Sequence, residues 1–154
     1  MIDTQARKSA ISALTRFFLQ GGTTNFQYMD NYPLRSKDPA LKSIYWMLWG
    51  LYSDVRKHKM SGSHALTPET MELVNRCILF LQTDREYEWD SRLFSFERAK
   101  RSWSRLIHGL FAPKRQSSVQ EQLADVLADE PKGDAEVWPF YRRRDYEGAR
   151  QLSC

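Results

Sequence analysis

Four carboxylates and two large aromatic side chains alternate within one short stretch, Thr83–Ser91 (TDREYEWDS): Asp84, Glu86, Glu88 and Asp90, with Arg85, Tyr87 and Trp89 between them. Successive side chains of an extended segment point to opposite sides. The acids would therefore share one edge, and Tyr87 and Trp89 the other. Tyr, Trp and Arg are the side chains most enriched at binding hot spots, and carboxylates around them would select a basic partner surface. Hard cations want convergent oxygen ligands, whereas a strictly alternating segment spreads these four over more than roughly 15 Å at about 3.3 Å per residue. The architectural alternative is an interhelix loop whose aromatics pack inward and whose acids face water.

A second pair of aromatics, Trp46 and Trp49, lies in LKSIYWMLWGLY, residues 41–52. Leu41, Ile44, Tyr45, Leu48, Leu51, Tyr52 and Val55 form an unbroken stripe at helical spacing, and the two tryptophans fall on the other side. A surface helix needs one apolar face, so this one is either central to a bundle or presents its tryptophans to something else. Together, Trp46, Trp49, Asp84, Glu86, Tyr87, Glu88, Trp89 and Asp90 are the candidate partner-binding set.

Arginines supply the third constellation. Arg98, Arg101 and Arg105 share a helix face, and Arg142, Arg143 and Arg144 form a separate run. Guanidinium forks match phosphate geometry, so these six are the candidate contacts for nucleic acid or another polyanion. Interspersed Glu97, Glu121 and Asp125 dilute the field, and the isoelectric point near 9.1 is only mildly basic. No zinc finger, RNA-recognition or helix-turn-helix pattern accompanies them.

Enzymatic parts are few. Asp54 and His58 sit four residues apart with His64 a short loop away, a trio that could relay a proton or bind a metal, although His58 also reads as a cation at a helix end. His108 reads as a capping or partly buried residue. Cys77 lies in an apolar helical run and reads as core, and Cys154 is the last residue. There is no H-E-x-x-H, G-x-S-x-G, P-loop or G-x-G-x-x-G. Nothing in the sequence implies a cofactor or a metal.

The elements that would position these groups are helical. Asp3 or Thr4 caps a helix running to about Gln20, which Gly21-Gly22 ends. Residues 21–38 read as a long ordered loop. A second helix spans Pro39 to about Lys59. A third begins at Thr67-Pro68, with Leu66 placed to staple onto Met71, and continues to Leu81. A fourth runs from about Arg92 to Leu110, and a fifth starts at Ser118, where Ser118 and Glu121 match the capping-box spacing. The tail, 129–154, reads as irregular, with a short helix near Asp145–Leu152. The fold expected is all-α: five or six helices forming a single-domain bundle over 1–154, with its core at about 4–128.

A chain of 154 residues with 42% hydrophobic and 27% charged residues has ordinary globular composition. The net charge of +4 sits mostly in residues 91–154, which carry 12 basic and 9 acidic side chains. Two cysteines make no disulfide framework. The longest apolar run, Ile44–Tyr52, holds nine residues with Gly50 inside it, whereas a membrane span needs about 20. The N-terminus lacks the apolar run of a signal peptide. A cytoplasmic protein without a membrane partner is expected. In size, class and aromatic content the chain is similar to small helical bacterial proteins that neutralise a toxin or serve as accessory subunits, a likeness that transfers no residue. Five Trp and seven Tyr exceed what one bundle core needs. The leading expectation is thus a non-enzymatic module that binds another protein stoichiometrically. A polyanion binder stands second, and an enzyme with an acidic and histidine pocket third.

Overall fold

The computed structural model describes residues 1–93, 119–128 and 132–153. Among the described residues there are six α-helices and no strand: α1 (Thr4–Leu14), α2 (Asn25–Asn31), α3 (Pro39–Trp49), α4 (Pro68–Leu81), α5 (Val119–Leu127) and α6 (Arg143–Leu152). None is long and apolar enough to cross a membrane. The expected helix from Arg92 to Leu110, the cap at Ser118, His108 and Cys154 lie outside the described residues, apart from a short 3₁₀ turn at Ser91–Leu93.

The helix starts follow local capping chemistry. Asp3 accepts the backbone N–H of Ala6 at 3.0 Å, Asp38 that of Ala40 at 3.1 Å, and Thr67 that of Thr70 at 3.2 Å. Pro39 and Pro68 follow their caps, where a missing N–H costs nothing. α1 continues as one π turn, Thr15–Leu19, and stops at Gly21, whose φ of +60° suits a residue without a Cβ. The site is also tight, because a Cβ there would lie 3.3 Å from the Met60 carbonyl oxygen.

α4 is the hub: α1, α3 and α6 all pack against it. Two buried aromatic clusters fill the interior. One joins Phe17 and Phe18 to Tyr28, Tyr32, Tyr45 and Tyr52, with Phe17 and Tyr28 stacked at 4.9 Å. The other joins Phe80 to Tyr87 and Phe140, and Phe140 to Tyr146.

Two expectations need correction. The ordered loop after helix one contains α2, started by a reciprocal box in which Thr24 accepts from the Gln27 backbone and the Gln27 side chain accepts from Thr24 N–H. The helix from Pro39 ends at Trp49, not Lys59. Asn25, fully buried, competes for its continuation: its Nδ2 donates to the carbonyls of Ser53 (2.8 Å) and Arg56 (3.1 Å), and its Oδ1 accepts from His58 N–H at 3.0 Å. Those backbone groups are held in a loop, and Val55, the last residue of the expected stripe, is 76% exposed. In the tail, the short helix expected near Asp145–Leu152 is present as α6, which begins two residues earlier, at Arg143.

A buried ion pair ties three elements together. The Arg7 guanidinium, 2% exposed, donates Nε–H to Asp38 Oδ2 at 2.6 Å and Nη1–H to the Thr83 carbonyl at 2.8 Å. It also lies over the Phe80 ring at 5.3 Å. Removing one partner of such a pair leaves an uncompensated buried charge, at about 3–5 kcal/mol. Arg7→Ala should therefore lower unfolding free energy by that amount in urea titration. Cys77, 0% exposed on α4, gives a second test. Burial pushes its thiol up to about 12 from an ordinary 9.0, against a smaller opposing effect of Arg76. The native thiol should resist labelling reagents and react only on unfolding. The unfolded chain gives up this proton near pH 9 and the folded chain near 12, so stability should fall as pH rises through that interval. The fall should be shallower in Cys77→Ala.

Candidate functional site

Residues 83–90 form a strap that leaves the end of α4 and runs past the segment preceding α6. Its alternation is expressed in the structure. Tyr87 and Trp89 are 8% and 3% exposed, while Asp84, Glu86 and Glu88 are exposed and Asp90 is partly so. The aromatics are held by polar bonds as well as by packing. Trp89 donates its indole N–H to the Phe140 carbonyl at 3.1 Å, and Trp138 donates its own to the Tyr87 hydroxyl oxygen at 3.1 Å. Burial raises the Tyr87 phenol well above its ordinary range, so it stays neutral and available as that acceptor. Gly133 lies against the Trp89 ring so closely that a Cβ would sit 2.3 Å from it. Arg76 fixes the facing chain by donating Nε–H to the Trp138 carbonyl at 2.6 Å.

The strap's acids are engaged in surface ion pairs. Glu88 meets Arg142 at 2.7 Å, Glu86 meets the Met1 amine at 2.9 Å, and Asp90 meets Arg92 at 2.6 Å. Arg85 reaches Asp145 on α6 at 3.1 Å. Exposed pairs of this kind contribute about 0–1 kcal/mol each; they orient the strap more than they stabilise it.

The candidate aromatics do not assemble into an open patch. Trp49 is 9% exposed and Trp46 is half-buried, with the two rings edge to face at 5.8 Å. Trp46 also meets Tyr45 edge to face at 5.0 Å. Three of the four aromatics in the candidate set, Trp49, Tyr87 and Trp89, are therefore interior. Trp138, which no helical stripe claimed, is fully buried.

Of the candidate polyanion contacts, Arg98, Arg101 and Arg105 lie outside the described residues. Arg142 pairs with Glu88 and Asp145, Arg143 with Asp134 and Glu136, and Arg144 approaches Asp145 at 3.9 Å. All three have carboxylate neighbours while remaining substantially exposed.

His58 and His64 stack face to face, with ring centroids 4.3 Å apart. His58 Nδ1 meets the Arg56 carbonyl at 2.8 Å. Among the described residues no hydrogen bond or ion pair links Asp54 or the strap carboxylates to either imidazole, and no group of three His, Cys, Asp or Glu side chains could hold a metal ion. No family model, curated protein or solved structure matches the chain.

Sequence alternation carried a legible signal for the inward aromatics. Trp138 and Gly133, their partners, gave none, because their contacts cross about fifty positions of chain. The clasp can be tested directly. Trp89→Ala should cost about 3–5 kcal/mol of stability, as deletion of a large core aromatic does. Gly133→Ala should also destabilise, because the indole has no room to move away. Glu88→Gln should change the melting temperature little. Thermal denaturation of the three variants separates core from surface.

Proposed function

We propose that the protein acts by stoichiometric binding of another protein with a basic surface, as an inhibitor or accessory subunit does, rather than by catalysis. One observation supports the reading above others: the strap holds Asp84, Glu86 and Glu88 outward on a backbone fixed from beneath by Tyr87 and Trp89. A ridge that is already ordered loses little conformational entropy on binding. Opposite charge across an interface also speeds encounter and fixes register. The half-buried Trp46 offers partly apolar surface elsewhere on the molecule, but the proposed contact is primarily acidic.

Asp84→Lys combined with Glu86→Lys reverses the ridge without touching the clasp. Exposed substitutions of this kind usually change stability by no more than about 0.5 kcal/mol, so the double variant should melt close to the native protein. The native protein should retain a specific basic partner at low ionic strength, with cross-links mapping to residues 84–88. The variant should lose it. Equal retention by the two proteins, or none by either, would remove the reading.

A further inference from the structure

A groove of about 400 Å³ runs between α1 and α2, well away from the strap in sequence. Lys8, Ser12 and Arg16 line it from α1 and its π turn, and Thr23, Gln27 and Asn31 face them. Its size falls within the range of small-molecule sites, about 300–1,000 Å³. Its chemistry does not resemble that of an apolar pocket. The lining holds two cations, several hydroxyls and amides, and no carboxylate.

Among the described residues those cations carry no ion pair, a state they share with Lys37, Lys42 and Lys57 among others; what distinguishes them is that both line one groove. Arg7, Arg76, Arg85, Arg92, Arg142 and Arg143 all have carboxylate partners. Lys8 and Arg16 are exposed and have none among the described residues. They sit eight positions apart, roughly 12 Å along a helix at 1.5 Å per residue. Arg16 belongs to the π turn Thr15–Leu19, a local irregularity often found at functional sites. Tyr28 lines the floor, but its ring is 1% exposed and stacked into the aromatic cluster, so no open aromatic face awaits a base.

We infer that this groove binds an elongated, polar solute with an anionic group at each end, of the sugar bisphosphate class. Arg16 takes one phosphate through its guanidinium fork and Lys8 takes the other as a point charge. Ser12, Thr23, Gln27 and Asn31 serve the hydroxyls between. The same two cations would also meet alternate phosphates of a single-stranded nucleic acid. The missing stacking surface weighs against that occupant, since base stacking supplies much of such affinity.

The probes are fructose 1,6-bisphosphate, inorganic phosphate and a single-stranded homopolymer oligonucleotide, titrated by calorimetry and by amide NMR. The bisphosphate should bind one to one, shift the amides of Ser12 and Asn31, and weaken with added salt. Lys8→Ala and Arg16→Ala, both at exposed positions, should each weaken it roughly tenfold, or about 1.4 kcal/mol, without lowering the melting temperature. Inorganic phosphate should bind far more weakly because it engages one cation at a time. The inference fails if the bisphosphate shows no saturable binding at millimolar concentration. It fails equally if both variants bind as the native protein does, or if the oligonucleotide binds more tightly than the bisphosphate. Because neither variant touches Asp84 or Glu86, these results are independent of whether the acidic ridge binds a protein.

Discussion

Everything in the first half of the molecule is arranged around a charge that water cannot reach. Arg7 comes from α1, Asp38 caps α3, and the Thr83 carbonyl follows the end of α4, so one guanidinium ties three helices together. Burying such a pair is expensive, and hydrophobic side chains of similar volume often do as well for stability. Geometry is what the pair adds. Its donors are satisfied only if the start of α3 and the end of α4 occupy one relative position, and the Phe80 ring beneath it is held to the same placement. The strap departs from Thr83, so the point from which it starts is fixed at this node.

From that node the strap behaves as a seam with two unlike sides. Its inner side is a polar-tipped aromatic clasp, in which each indole N–H finds an oxygen so that large rings can be buried without stranding a donor. Its outer side is a row of carboxylates, of which Glu86 pairs loosely with the Met1 amine and Glu88 with Arg142, the residue before α6. Deletion on the inner side removes packing and leaves polar groups unpaired. Substitution on the outer side changes mainly the field that an approaching partner meets.

How much of this could be read from residues alone depends on the range of the interaction. Thr67-Pro68 and Asp38-Pro39 fix helix starts through neighbours two or three positions away, and both were legible. The alternation in residues 84–90 stated which side chains share an edge. It could not state which edge faces inward, because that is decided by Trp138, Phe140 and Gly133. The end of α3 is hidden from the sequence for the same reason: the stripe through Val55 is a sound helical pattern, but Asn25, about thirty positions earlier, takes the carbonyls of Ser53 and Arg56 for itself. α2 is too short, at seven residues, to show a period, and its one local signal is the Thr24–Gln27 capping-box spacing. The groove between α1 and α2 was invisible for a different reason: Lys8 and Arg16 look like ordinary solvated positions until the facing helix is in place.

The clasp also bears on how the chain acquires its shape. Trp138 meets Tyr87, and Phe140 meets Trp89, across 51 positions, while Arg76 waits 62 positions for the carbonyl it holds. A ribosome adding about 5–20 residues per second needs roughly 3–10 s to supply 51 more. During that time α1 to α4 can collapse around their own aromatic cluster, while Tyr87, Trp89 and Arg76 lack the partners that the tail supplies. Closing so long a loop costs entropy before any contact repays it. Nascent chains of this protein therefore pass through an interval with Tyr87 and Trp89 exposed to solvent, and the acids alternating with them are the charges that keep that interval soluble.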